Sequence, residues 1–128
     1  MRASVDRLTA LDTGFLRLET PESPMHIGGA LVVEGGPLRD AAGRIRIEDV
    51  RAHVEARLEQ LPRFRRRVVE VPFGLGRPTW VDDATFDIAR HVGLVELPDG
   101  ARDQDLLDLC ARLYEVPLDR ARPLWDPT

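Results

Sequence analysis

The clearest periodicity along the chain lies between Ile47 and Leu61. Ile47, Val50, Val54, Leu58 and Leu61 recur every three or four residues, and Glu48, Asp49, Arg51, Glu55, Arg57 and Glu59 fill the other side. That pattern predicts an amphipathic helix with one buried stripe. Acids in its first turn and arginines in its last suit the helix dipole, and Pro62 ends it. A shorter helix is predicted from Asp12, read as its cap, to Glu19, with Leu11, Phe15 and Leu16 near one face and Thr20-Pro21 as the stop. A last helix, capped by Asp103 or a neighbour, carries Leu106, Leu109, Cys110 and Leu113 on one face and runs out before Pro117.

Between these helices the pattern turns extended. His26 to Glu34 has no helical period and is rich in β-branched residues, which predicts a strand buried on both faces and closed by Gly35-Gly36-Pro37. Its glycines, Gly28 and Gly29, weaken a strand unless a helix or ligand must approach the backbone there. Residues 38 to 46 read as a loop around Gly43. Arg65 to Val71, Thr79 to Val81 and His91 to Leu97 read as short extended pieces, separated by a turn at Phe73 to Pro78 and a loop at Asp82-Asp83. The order is mixed α and β, without repeats, and the strands are too few to close a barrel.

Composition narrows the class. At 128 residues and 43% hydrophobic content the chain can bury a modest core, and its 31% of charged residues are of both signs, which argues for a globular domain rather than a disordered tail. A net charge of -4 opposes binding to a phosphate backbone, so nucleic acid is a poor partner. Every basic residue is Arg, which fits a GC-rich coding bias. Cys110 is the lone cysteine and gives neither a disulfide nor metal spacing, so a reducing cytoplasm is expected. The charged start of the chain has no apolar stretch behind it, and no window reaches bilayer length. Lipid contact is then peripheral, at a membrane or a lipid droplet.

Candidate chemistry is sparse. His26, His53 and His91 are scattered without paired-His, HExxH or Cys/His spacing. His53 reads as solvated, and His26 and His91, each opening a strand, read as structural hydrogen-bonding groups. The run Arg63 to Arg67 could be assigned to phosphate, including the phosphates of coenzyme A, but cations at a helix end followed by solvent-facing arginines explain it more simply. Gly74-x-Gly76 is a turn, Cys110 a core residue, and Asp82, Asp83 and Asp87 are solvated loop acids without EF-hand spacing. From the residues alone, the reading stops at a mixed α/β domain with no catalytic residue, cofactor site or metal site of its own.

Several segments, in order, resemble the bacterial wax ester synthase/diacylglycerol acyltransferase family. They are Leu8-Thr-Ala-Leu-Asp-Thr-Gly-Phe-Leu16 with Glu19, Pro24-Met-His-Ile-Gly28, Leu61-Pro-Arg-Phe-Arg65 with Arg67, and Gly76-Arg-Pro-Thr-Trp-Val-Asp-Asp83. Phe86-Asp87 and His91 follow, then Pro117-Leu-Asp-Arg120 and Arg122-Pro-Leu-Trp125. The resemblance implies an α+β fold, the N-terminal part of a chloramphenicol-acetyltransferase-like two-layer mixed-sheet domain. It also implies transfer of an acyl group from acyl-CoA, a co-substrate rather than a cofactor, to diacylglycerol or a long-chain alcohol. In the family, a His-His-x-x-x-Asp-Gly motif comes soon after Pro-Leu-Trp, and its second histidine is the general base that takes the alcohol proton.

This sequence stops before such a motif, so the resemblance implies a chain inactive alone, or a non-catalytic half that pairs with a separate C-terminal part. Residues 1–126 are read as an incomplete acyltransferase domain and 127–128 as a divergent tail in which Pro127 breaks the usual strand. A truncated frame, a frameshift or a fragmentary gene model would give such an ending. Pro123, Leu124 and Trp125 are carried over as a structural family element, with Trp125 a packing anchor. A part of a larger sheet is expected to leave strand edges and an apolar wall uncovered, making a sticky, marginal protein.

Overall fold

The computed structural model describes residues 5–126. Among them the order is α1 (Ala10–Leu18), α2 (Ile47–Leu58), β1 (Arg66–Val69), β2 (Thr79–Asp82) and α3 (Asp103–Tyr114), with short 3-10 turns between. The two strands form one antiparallel pair, with Arg66 opposite Asp82 and Val69 opposite Thr79. The chain is thus a small mixed α/β unit, as the pattern implied. No helix of the described residues is long and apolar enough to cross a membrane.

Local chemistry sets the first element. The Oγ1 of Thr9 accepts from the backbone N–H of Asp12 at 3.1 Å, so Thr9, not Asp12, caps α1. The helix starts earlier than the sequence reading placed it because the threonine two residues after Arg7 already offers a capping oxygen. The stretch before it lies along β2: the Leu8 N–H bonds the Pro78 carbonyl at 2.9 Å, and the Trp80 N–H bonds the Asp6 carbonyl at 2.7 Å. Leu8, at 1% exposure, joins Leu58, Val68 and Val92 as the buried apolar core. The face of α1 that carries Leu11 and Phe15 is instead largely exposed.

Two of the expected strands do not form. His26 to Glu34 has no partner strand among the described residues, and Ile27, Leu31, Val32 and Val33 stand open rather than buried on both faces. β-branched composition suits a pleated surface, but only a neighbouring backbone completes a strand. His91 to Leu97 fails for a local reason. The Asp87 carboxylate accepts from the Ala89 N–H at 3.0 Å and starts a tight turn, and the N–H groups of His91 and Val92 both return to the Ile88 carbonyl. His91 therefore closes a turn. α2 and β1 are shorter than read, α2 ending at Leu58 and leaving Leu61 exposed and β1 spanning only Arg66–Val69, whereas β2 runs one residue further, to Asp82.

After β1 the chain turns through Pro72–Gly74, where Phe73 (φ 58°) and Gly74 (φ 64°) are both left-handed. Gly74 takes that geometry freely, whereas Phe73 carries a strain of about 1–2 kcal/mol. The tail at 127–128, with Pro127, and the charged start at 1–4 lie outside the described residues.

With so few buried apolar side chains, each one matters. Leu8→Ala is expected to destabilise the fold by roughly 2–4 kcal/mol, read as a lower urea midpoint followed by circular dichroism. A midpoint equal to wild type would show that the contact between residues 6–8 and β2 is not part of the core.

Candidate functional site

A groove of about 850 Å³ opens on the described surface. Its first wall is the unpaired segment at residues 26–30. Its floor is the Cys110, Ala111, Leu113 and Tyr114 side of α3. The opposite wall is the irregular stretch 116–126, which ends in Pro123, Leu124 and Trp125, with Phe64 and His91 behind it. Neither wall is a helix or a strand, so each must be held by individual bonds.

The first wall is fixed by a reciprocal pair. His26 Nε2 lies 2.7 Å from the Tyr114 carbonyl, and the Tyr114 hydroxyl donates to the His26 carbonyl at 3.0 Å. The rings meet edge to face with centroids 4.7 Å apart. Because a carbonyl can only accept, Nε2 is the donor in this contact. The other ring nitrogen, Nδ1, is buried and has no hydrogen-bond partner among the described residues. A Cβ at position 28 would come within 2.7 Å of the Tyr114 ring, so Gly28 is where the helix approaches closely, while nothing crowds Gly29.

A second anchor sits at the root of the segment. The Glu19 carboxylate accepts from the Met25 N–H at 2.9 Å and from the Arg120 guanidinium at 3.2 Å. Arg120 also donates to the Leu16 carbonyl at the end of α1. One arginine thereby ties the 116–126 wall to α1, and one carboxylate ties α1 to the 26–30 wall. The Met25 N–H holds the Glu19 carboxyl below the ordinary glutamate range; burial opposes this, and Arg120 and the nearby His26 reinforce it.

The third anchor is the Trp125 clamp. His91, only 3% exposed, places Nδ1 2.7 Å from the Trp125 carbonyl, and the two rings stack at 4.5 Å. The Trp125 indole N–H donates to the Phe64 carbonyl at 2.7 Å, with the Phe64 ring edge-on at 5.4 Å. Phe86 stacks on His91 at 5.3 Å, and the Arg65 guanidinium lies 4.8 Å over Phe86. Arg122 adds a bond to the Arg90 carbonyl at 3.3 Å.

The remaining candidates take other places. His53 is exposed on α2. The basic run is bound into the fold: Arg63 reaches Asp6 at 3.2 Å and faces the Trp80 ring, while Arg66 bridges Asp6 at 3.1 Å and Asp82 at 3.0 Å. Arg63 and Arg66 thus lie at the surface in ion pairs with Asp6 and Asp82, Arg63 with 55% of its side chain exposed. Asp82 pairs with Arg66, Asp83 accepts from Thr85, and Asp87 caps the turn before His91, so these acids do local structural work. Cys110 is half-buried on the groove floor rather than in a core. Among the described residues no three His, Cys, Asp or Glu side chains converge to hold a metal ion. Tyr114 and Phe64 were not singled out in the sequence, and only the small residue at Gly28 signalled the first of them.

Two outcomes are expected from these anchors. His91→Ala leaves the Trp125 carbonyl without its donor, a loss of about 1–3 kcal/mol. Trp125 emission, read in a Trp80→Phe background, should shift to the red; an unmoved spectrum would show that the clamp does not hold the indole. For Glu19 the folded pKa is depressed, so its stabilising contribution is full above the unfolded pKa and is lost as pH falls through the folded one. Glu19→Gln should lower the melting temperature at neutral pH, and the two proteins should converge on acidification. Parallel curves would remove Glu19 from the anchor. Asp119, lowered by the Ala121 N–H and by Arg122, keeps a remaining acid slope in both.

Residues 8–128 match the family model described as the wax ester synthase/diacylglycerol acyltransferase catalytic domain. The chain is 44% identical over 122 residues to a probable diacylglycerol O-acyltransferase, tgs3, of Mycobacterium tuberculosis, which covers 95% of this chain and 43% of the relative. It is 39% identical over 123 residues to another, tgs1, of the same organism, covering 95% of this chain and 25% of that relative. The chain thus spans less than half the length of these curated relatives. No solved structure matches it. With a model match that takes in both walls of the groove and the Pro-Leu-Trp element, the chain belongs to the wax ester synthase/diacylglycerol acyltransferase family.

Proposed function

We propose that the chain is an N-terminal portion of an O-acyltransferase that moves an acyl group from acyl-CoA to diacylglycerol or a long-chain alcohol. In this reading residues 1–126 are part of a chloramphenicol-acetyltransferase-like domain, and the groove receives an alkyl chain. The observation that carries it is the position of Pro123-Leu124-Trp125: the family element forms one wall of an apolar groove of about 850 Å³. That volume falls in the roughly 300–1,000 Å³ range of small-molecule sites.

The chemistry needs a base. The alcohol oxygen attacks the thioester carbonyl, its proton passes to a histidine, the carbon–sulfur bond breaks, and the proton goes to the departing coenzyme A thiolate. His26 and His91, the histidines on the groove, are poorly placed for this. The His91 ring is buried in a stack with its Nδ1 on Trp125, and the free Nδ1 of His26 is buried. The family resemblance gives the role to the His-His-x-x-x-Asp-Gly motif, which this sequence does not contain. The role left to these 128 residues is to shape the site and orient the chain segment that leads toward the base. A peripheral contact with membrane or lipid droplet would deliver the apolar substrates.

Purified chain incubated with labelled palmitoyl-CoA and either dioleoylglycerol or hexadecanol should give no ester above a heat-inactivated control. A hexadecanol analogue bearing a photoreactive diazirine should label peptides from 26–30 and 110–118, and excess dioleoylglycerol should suppress the labelling. Ester formation by the chain alone would overturn the missing base, and labelling elsewhere would overturn the groove.

A further inference from the structure

The Trp125 clamp uses only one nitrogen of the His91 ring. Nδ1 lies 2.7 Å from the Trp125 carbonyl, and because a carbonyl can only accept, Nδ1 is the donor. In the neutral ring that leaves Nε2 an acceptor. Nε2 has no hydrogen-bond partner among the described residues. Nor is it sealed off: the side-chain nitrogens that are both wholly enclosed and unpartnered there are His26 Nδ1 and Trp80 Nε1. Nε2 therefore keeps a small open surface on a residue that is only 3% exposed and lines the groove. The neighbouring donors are spent elsewhere, the Tyr114 hydroxyl on the His26 carbonyl and Arg122 on Asp119 and the Arg90 carbonyl.

We propose that His91 Nε2 accepts a hydrogen bond from the hydroxyl of an aliphatic alcohol whose chain lies in the groove. The inference rests on the reading that the groove receives an alkyl chain, and it adds which substrate that chain belongs to. A lone acceptor on an apolar surface selects a ligand that brings a donor. A thioester carbonyl carries none, whereas diacylglycerol and a long-chain alcohol each carry a hydroxyl, so the groove takes the acyl acceptor. The ring is held to aim that lone pair, stacked on Trp125 at 4.5 Å and on Phe86 at 5.3 Å with Nδ1 tied to the backbone. His91 in this role orients the hydroxyl and takes no proton from it.

Decanol compared with decyl methyl ether, which has no donor, tests the contact on the 128-residue chain. With Trp125 emission as the signal in a Trp80→Phe background, decanol should bind at least about fivefold tighter, the worth of one neutral hydrogen bond. His91→Asn places an amide nitrogen where Nδ1 lies, so it can still donate to the Trp125 carbonyl, but it has no acceptor at the Nε2 position; the preference for decanol should vanish. In the unmutated chain, nitrogen NMR should show the His91 ring protonated at Nδ1 and bare at Nε2, with the Nε2 signal moved by decanol and not by the ether. A ring protonated at both nitrogens, an Nε2 signal that decanol leaves unmoved, or a preference that survives His91→Asn would overturn the proposal. Equal binding of alcohol and ether would overturn it while leaving the groove to an alkyl chain held by its tail. Failure of both to bind would remove the groove reading with it.

Discussion

The hydrogen bond between the His91 ring and the Trp125 carbonyl is the constraint on which the arrangement turns. The stretch 116–126 has no helix or strand to hold it, and its local bonds shape only the turn at Asp119. Arg120 ties it to α1, and its far end is fixed by Trp125, engaged at its carbonyl by His91 and at its indole N–H by the Phe64 carbonyl. Those partners lie 34 and 61 residues away, so the contact joins the tight turn after Asp87, the turn before β1 and the end of the described chain. A wall built in this way takes its order from tertiary contacts, since secondary structure supplies none of it.

The same design recurs at the other wall. Glu19 and Arg120 link α1 to both sides of the groove, and His26 and Tyr114 exchange side-chain bonds with each other's carbonyls. Side chains bonding distant backbone thus do what a wider sheet would do in a larger domain. The consequence for function is a groove with apolar surfaces and a fixed outline, in which the polar groups are mostly spent on structure. That outline supports the proposal that the groove receives an alkyl chain.

How much was legible in the sequence follows from the range of the interactions. The stripe from Ile47 to Leu58 and the pair of short strands around the Phe73–Pro78 turn could be read because their signals are local. The run from His26 to Glu34 has the composition of a buried strand, but composition does not report whether a partner backbone exists. His91 misleads in the same direction: its run suggests a strand, yet the carboxylate of Asp87 has already turned the chain. The family came through because its short motifs survive in order, including Pro-Leu-Trp. The role of Tyr114, which no motif marked, depended on a contact across 88 residues.

The approach of Gly28 to Tyr114 couples two distant positions. With the ring held by its hydroxyl on the His26 carbonyl, any side chain at 28 collides with it, so the glycine is imposed by the aromatic residue and by nothing in its own neighbourhood. Neither position is then free to vary alone. A redesign that wanted a bulkier lip on the groove would have to shrink residue 114 in the same step, and it would give up the hydroxyl bond to the His26 carbonyl while the backbone carbonyl at 114 still met the His26 ring.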